Sequence, residues 1–381
     1  MMMMSDHAMR VALVYDMDAC RGPTGVTRHA MAQFGHLAKR PDVQFQAVSG
    51  RITEPDGRVF WESFENVRRR ELPFSMRNML RLWRIKPWPP IEWWTGDVDW
   101  VYAPSEYFVP TRKARRAVTS HDVLQDLSIG GPKRRDRLAK AFEGASLVLS
   151  VSHFNTTKLI DAFPELRDRV AYVPNAADDL FYEDATDRER RGIRADLGLP
   201  AGMPYLLSVA NFQPRKNLAR MIRATGRLPE VARGDLALVL MGTGSDAETR
   251  AIGEAIAALP KSAVIKTPGY RQGAALRASY AEASALVFPS TCESFGIPAV
   301  EAMAQGCPVV LANSTALPEI GQDAGWYFVP EHEDAIAGTI RDMLDRREER
   351  EHRVNRGRTI ASEYRWDASN NRLTDALINA R

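Results

Sequence analysis

Cysteine is scarce: three in 381 residues, Cys20, Cys292 and Cys307, none of them in a CxxC or Cys/His pattern. That excludes a disulfide framework and a structural zinc site, and leaves three reduced packing residues. Long apolar runs are missing too. No segment approaches the roughly 20 consecutive apolar residues that span a bilayer. The leading MMMMSDHA lacks the apolar stretch of a secretory signal, so the chain is expected to stay in the cytoplasm, with these residues an extra start segment ahead of Met9. Beyond that run and the Arg/Glu-rich 346–353, repeats and low-complexity stretches are absent. Charge of one sign is not in excess either. With a net charge of +3 and no RNP-like motif, the chain shows no footprint for nucleic acid. The GTGSD loop at 242–246 does not continue as G-x-G-x-x-G, which removes a dinucleotide fingerprint there. Asp16 and Asp18 form a lone DxD without the flanking pattern of a metal–diphosphate site, so no metal is expected.

What the sequence does have is alternation. A chain of 381 residues, 45% hydrophobic and 26% charged, suits two soluble domains better than one core. Short apolar strands followed by loops and helices are predicted at 10–15, 43–48, 98–103, 117–120 and 147–152, and again at 205–209, 236–241, 263–266, 285–288 and 307–311, with Phe328 closing the second sheet. Runs of this kind fit strands buried on both faces. The expected fold class is therefore α/β, two doubly wound Rossmann-like domains facing a cleft. The charged run EDATDRERRGIR over 183–194 reads as a linker, giving domains over 1–182 and 183–364 and a capped terminal helix over 365–381.

The stretch LVFPSTCESFGIPAVEAMAQGCPVVL, 286–311, organises the second half. It reads as strand, tight loop at Ser294 and Gly296, helix with Pro298 in its first turn and Gly306 at its end, then strand. The amides of Ser294, Phe295, Gly296 and Ile297 and the positive end of the helix dipole then face the carboxyl edge of the sheet, where anions bind. Glu293 and Glu301 frame this floor and could each accept two hydroxyl groups; alone, they also fit solvated surface charges. Arg215 and Lys216 precede a helix predicted to be capped by Asn217. Two cations at a helix N-terminus suit an intervening anion, or simple solvent exposure. His121 ends a parallel strand, where its imidazole could donate to a sugar hydroxyl or share a developing charge, although such histidines are also structural. Gly22 and Gly25 would let the backbone approach a ligand, or merely serve the turn.

Between Asn66 and Trp94 lie seven Lys or Arg against two Glu. Within this otherwise irregular region Met76, Met79, Leu80 and Trp83 follow helical spacing, with Arg77, Arg81 and Arg84 on another face. Core packing and docking on anionic lipid head groups both fit, and residues 74–94 are the candidate membrane contact.

The run FPSTCESFGIPAVEAMAQGCPVV resembles the Glu-x7-Glu signature of the retaining GT-B-fold glycosyltransferases of family 4. ANFQPRKN resembles that family's Gly-Arg-x5-Lys-Asn/Gly clamp, and VAYVPNAADDLF its Val-Pro-Asn-Gly-Val-Asp segment, with Ala176 where Gly is usual. TSHDV is similar to the (V/I)HD motif of a mannosyltransferase-like branch, and TGVTRHA to its Thr-Gly-Ile-Gly-Arg-Tyr run, with Thr27 in place of the second Gly. The resemblance implies that Glu301 holds the ribose and Glu293 lies beside the transferred sugar. It implies that Arg215 and Lys216 clamp the diphosphate, that His121 contacts the donor sugar, and that Gly25, Asn211, Ser294, Phe295, Gly296 and Ile297 line the donor site. A hexosyl group, mannosyl from GDP-mannose, would pass to a glycan or lipid-linked glycan in cell-surface polysaccharide synthesis, at the inner face of the membrane, with no essential metal and no other cofactor. The terminal helix would cross back to the first domain. Two rivals share the architecture: a non-catalytic sugar-nucleotide-binding protein and a nucleotide-sugar epimerase.

Overall fold

A computed structural model describes residues 8–21, 24–64, 67–200 and 202–380, so Gly22 and Asn66 lie outside the described residues. The chain forms two compact units, Met1–Asn175 with Asp367–Arg381, and Ala176–Trp366.

The first unit is built on seven parallel strands among the described residues, β1 Met9–Val14, β2 Val43–Ser49, β3 Arg68–Glu71, β4 Trp100–Ala103, β5 Arg115–Ser120, β6 Leu147–Ser150 and β7 Val170–Tyr172, in the order β3-β2-β1-β4-β5-β6-β7. Successive residues of β1 point to opposite faces, and both faces are covered. Val11 and Leu13 pack with Phe34 and Leu37 on one side, while Ala12 and Val14 join Met76, Met79 and Trp83 on the other. Two-sided burial is why β1 reads as an unbroken apolar run. Leu373 and Leu377 of the terminal helix Trp366–Asn379 belong to the first of these cores. Ser369 donates to the Pro174 carbonyl, and His36 Nε2 lies 3.2 Å from Thr374 Oγ1.

The second unit carries six parallel strands among the described residues, β8 Tyr205–Val209, β9 Ala237–Met241, β10 Ile265–Gly269, β11 Ala285–Phe288, β12 Val309–Ala312 and β13 Gly325–Phe328, in the order β10-β9-β8-β11-β12-β13. The order reverses direction between β8 and β11, and ligand sites of open α/β sheets form beyond the carboxyl ends of such a strand pair.

Three expectations are corrected. The first unit ends at Asn175, ahead of the expected break at 182. Residues beyond it are tied to the second unit: Tyr182 donates to the Tyr364 carbonyl at 2.5 Å, and Gln305 to those of Phe181 and Glu183 at 2.6 and 2.8 Å. The charged run after it is no linker. It forms the helix Asp187–Asp196, started by a reciprocal capping box between Thr186 and Glu189 and anchored by the buried Arg277, which donates to both oxygens of Glu189 at 2.7 and 2.8 Å. That Thr-x-x-Glu spacing was visible in the sequence and is a helix start signal.

Residues 52–94, read as mostly irregular, contain the helix Pro55–Glu62, the edge strand β3 and the helix Met76–Ile85. Part of the basic excess is spent internally, since Arg69 donates to the Trp61 and Phe64 carbonyls and Arg70 to that of Trp94 at 2.9 Å. Met76, Met79 and Trp83 are fully buried in the core, with Leu80 packed against it. The apolar face recognised from sequence is thus a packing face. What reaches the surface is a different set, Phe74 at 55%, Ile85 at 83%, Trp88 at 50% and Trp93 at 63% exposure, beside exposed Arg77, Arg81 and Arg84.

Candidate functional site

The loops leaving β8 and β11 meet beyond the sheet's reversal point. Gly242, after β9, admits the first of them. Its φ is +143°, and a Cβ there would overlap the Ala210 carbonyl oxygen. The loop then passes the exposed Asn211 and, after a bond from Phe212 N–H to the Thr243 carbonyl at 2.7 Å, ends in the short turn Pro214–Lys216. Asn217 does occupy the cap position of the following helix, but in the left-handed region at φ +57°, and its side chain caps nothing. Its amide instead donates to the Pro330 and Pro289 carbonyls at 2.8 and 3.3 Å, which presses the turn against the loop after β11.

That contact brings Arg215 and Lys216 onto Glu293. Arg215 Nη1 lies 3.1 Å from the carboxylate and donates to the Cys292 carbonyl at 2.7 Å, while Lys216 Nζ donates to the same Glu293 oxygen. Lys216 and Glu293 are both buried, and the ammonium stands over the Phe288 ring at 5.2 Å. Burial pushes the Glu293 carboxyl up, but the Lys216 and Arg215 cations outweigh it and hold it below the usual carboxylate range. Two cations around one carboxylate in a largely buried setting make this three-residue cluster, taken without Glu301, net positive. Such a triad contributes little to stability by itself, since desolvation offsets attraction, but it is poised to receive further negative charge.

The second loop continues through the buried Ser294, Phe295, Gly296 and Ile297 into the helix Ile297–Ala304. Gly296 has φ +111°, a conformation that favours glycine, and a Cβ there would come within 2.8 Å of Leu317 Cδ2. No side chain caps this helix; Pro298 carries no N–H and the Ala299 amide donates to the Gly296 carbonyl at 2.9 Å, so it is the amides ahead of them, up to Ile297, that an anion could meet. Phe295 anchors the loop, with its ring edge-on to Tyr364 at 5.4 Å. One turn inside, Glu301 is 2% exposed and accepts a 2.9 Å hydrogen bond from the hydroxyl of the equally buried Tyr280. Sequence reasoning missed Tyr280. It sits on the preceding helix Gly273–Glu282 in no recognisable motif, and only the fold pairs it with Glu301.

Gly25 and His121 belong to the first unit. Gly25 opens the helix Gly25–Lys39, whose cap Thr24 accepts from Thr27 N–H at 3.3 Å. Thr27, which stands in place of the second Gly of the run that TGVTRHA resembles, places its hydroxyl 3.2 Å from that of Tyr15. Asp18 spends both carboxylate oxygens on Thr53 and on the Glu54 amide at 2.7 to 3.0 Å, a fold contact. The turn after β5 is fixed by Asn155, which no motif singled out: it donates to Ser120 O and Ser150 Oγ at 3.1 and 3.0 Å and accepts from Val123 N–H. In that turn His121 is buried, with Nε2 2.9 Å from the Pro104 carbonyl and its ring edge-on to His29 at 5.0 Å. A carbonyl only accepts, so Nε2 carries the proton and Nδ1 of the neutral ring offers a lone pair. Burial pushes the imidazole down to about 4, against the raising effects of the Pro104 carbonyl and Asp122. With Nε2 directed at the Pro104 carbonyl, the nitrogen left for the expected donor-sugar contact is Nδ1, which in the neutral ring accepts, so His121 would meet a sugar hydroxyl as an acceptor.

This has a measurable consequence. Between about 6.5 and about 4 the unfolded chain protonates this histidine and the folded chain does not. Stability therefore falls as pH drops through that window, by at most about 1.4 kcal/mol per pH unit for one group. His121→Gln is expected to melt with a shallower pH dependence from 6.5 to 4 than the unmodified protein; equal slopes would contradict the buried neutral ring.

The chain is similar to known proteins over both units. Residues 189–360 match the model of the family described as glycosyl transferases group 1. The O-antigen chain mannosyltransferase B of Escherichia coli is 30% identical over 288 residues, 74% of each chain. The serotype-specific mannosyltransferase WbdA of the same species is 29% identical over 217 residues, 54% of this chain but only 26% of that protein. In three dimensions, Anabaena Alr3699/HepE in complex with UDP-glucose superposes with a TM-score of 0.77 over 97% of this chain and all of that one, at 17% identity, a likeness of fold.

Proposed function

The chain belongs to the glycosyl transferases group 1 family, with the two Rossmann-like units of the GT-B fold, and from that premise we propose a retaining mannosyltransferase acting on a nucleoside diphosphate sugar. The observation that carries the reading is the Arg215–Lys216–Glu293 cluster beside an uncapped helix N-terminus. As the bond from sugar to diphosphate breaks, negative charge grows on the leaving phosphate. Two cations and preset amides stabilise that charge more than they stabilise the ground state. Glu293 lies beside the sugar and Glu301, steadied by Tyr280, takes the ribose hydroxyls. The acceptor attacks from the face the leaving group vacates, so the anomeric configuration is kept.

Mannose is favoured by the name of the relative that covers 74% of this chain, and GDP-mannose is the donor to test first. The acceptor is a glycan or lipid-linked glycan of a surface polysaccharide. No metal is assigned a role, because cations of the chain itself face the leaving group. A panel of nucleoside diphosphates and their sugars tests the donor by thermal shift, since ligand at about 100 times its Kd adds roughly 2.7 kcal/mol of stability. Release of GDP that requires acceptor and persists in EDTA is expected. GDP-mannose binding without release would favour a sensor, and release or sugar change without acceptor would favour an epimerase.

Among the described residues no helix is long and apolar enough to cross a membrane. Peripheral attachment is proposed instead, through the exposed Phe74, Ile85, Trp88 and Trp93 with Arg77, Arg81 and Arg84. Each cation near an anionic surface contributes about 1 kcal/mol. Co-sedimentation with anionic but not neutral vesicles is expected, weakened by salt and by an Arg77, Arg81, Arg84→Gln triple variant; identical behaviour of both proteins would refute it.

A further inference from the structure

Among the described residues three other than glycine hold a positive φ, and Thr315, at +53°, is the β-branched one of these. A branched side chain in the left-handed region crowds its own carbonyl, and such a conformation persists only where the surroundings impose it. The surroundings here are the catalytic loop. Thr315 lies just beyond the carboxyl end of β12, and its hydroxyl accepts a 2.9 Å hydrogen bond from the Glu293 amide. The next residue, Ala316, donates its amide to the Glu293 carbonyl at 3.2 Å, and the preceding Ser314 donates its hydroxyl to the Ser290 carbonyl at 2.9 Å. Three consecutive residues of one loop therefore grip the other loop, two of them on Glu293 itself.

We propose that Thr315 is a positioning residue: its strained backbone aims the hydroxyl at the Glu293 amide, and this grip fixes where the Glu293 carboxylate meets the donor sugar. A glycine would adopt the same φ without strain but has no hydroxyl. The side chain is what the position uses. Serine keeps the hydroxyl with less crowding, and alanine keeps a Cβ but not the bond. The inference rests on the donor-site reading above, in which Glu293 acts at the sugar and not at the nucleotide. Displacing a reacting or orienting group by about 1 Å can cost on the order of 10²-fold in rate.

The test compares the unmodified protein with Thr315→Ser, Thr315→Ala and Thr315→Gly. It measures kcat and KM for the sugar donor, affinity for GDP and UDP, and melting temperature. Thr315→Ser should turn over close to the unmodified rate. Thr315→Ala and Thr315→Gly should both lose about 10-fold or more in kcat with unchanged affinity for the nucleoside diphosphate. Thr315→Gly, free of strain, should melt no lower than Thr315→Ala. A Thr315→Ala protein with full kcat would overturn the proposal alone, as would kcat that follows melting temperature across the series, or a nucleotide affinity that falls with it. An unmodified protein that neither binds a nucleoside diphosphate nor transfers sugar would overturn the donor-site reading and this proposal with it.

Discussion

Lys216→Ala is expected to lose at least ~10²-fold in turnover, the effect of removing one group aimed at charge that develops in the transition state. Its ammonium is buried on the Glu293 carboxylate, with the Arg215 guanidinium 3.1 Å from the same oxygen. In so dry a place a charge acts with a lower effective dielectric than at the surface, so a cation in the role proposed for Lys216, at the leaving phosphate, has no cheap substitute in water. The same burial gives the variant a structural cost. Removing one partner of a buried pair destabilises by about 3–5 kcal/mol when the other is left uncompensated. Here Arg215 remains on Glu293, which should keep the loss below that range. Turnover is therefore measured well below the melting temperature of the variant, and Lys216→Arg, which keeps a cation, should recover part of the rate. A folded Lys216→Ala protein with near-native turnover would remove this residue from the mechanism.

The second large effect separates the two carboxylates. Glu293→Gln should lower kcat by ~10²-fold with little change in donor affinity, because the carboxylate is proposed to act beside the sugar as charge develops. Glu301→Ala should mainly raise KM, since ribose contacts act equally in ground and transition states. Exchanged profiles would mean exchanged roles. An independent signature lies in acid. The Glu293 carboxyl is held below its ordinary range by Lys216 and Arg215 despite its burial. Its contribution to stability is therefore present above the ordinary carboxylate value and lost as pH falls through the lower folded value. The stability deficit of Glu293→Gln should be largest near neutral pH and shrink towards acid. A deficit that stays constant with pH would show that the ion pairs are not its source.

The sequence by itself determined the α/β class, the two-unit organisation and the loop–helix that carries Glu293 and Glu301. These features are written locally. A strand buried on both faces needs a continuous apolar run, as in 205–209 and 285–288, and a helix start needs its proline and glycine within a few residues, as at Gly296 and Pro298. Where local signals compete, the reading failed. The capping box at Thr186 was masked by surrounding charge, and the edge strand Arg68–Glu71 is too polar to read as a strand because an edge needs only partial burial. Other features were decided by tertiary structure alone. Helical spacing shows that Met76, Met79 and Trp83 share a face, but only packing shows that this face meets the sheet while Ile85 and Trp93 meet solvent. The pairing of Arg215 and Lys216 with Glu293, of Tyr280 with Glu301 and of Thr315 with the Glu293 amide joins residues brought together by strand order, β8 beside β11 beside β12. Strand order is set by the burial of whole helices and sheets, a sum over the domain that no short stretch of chain contains.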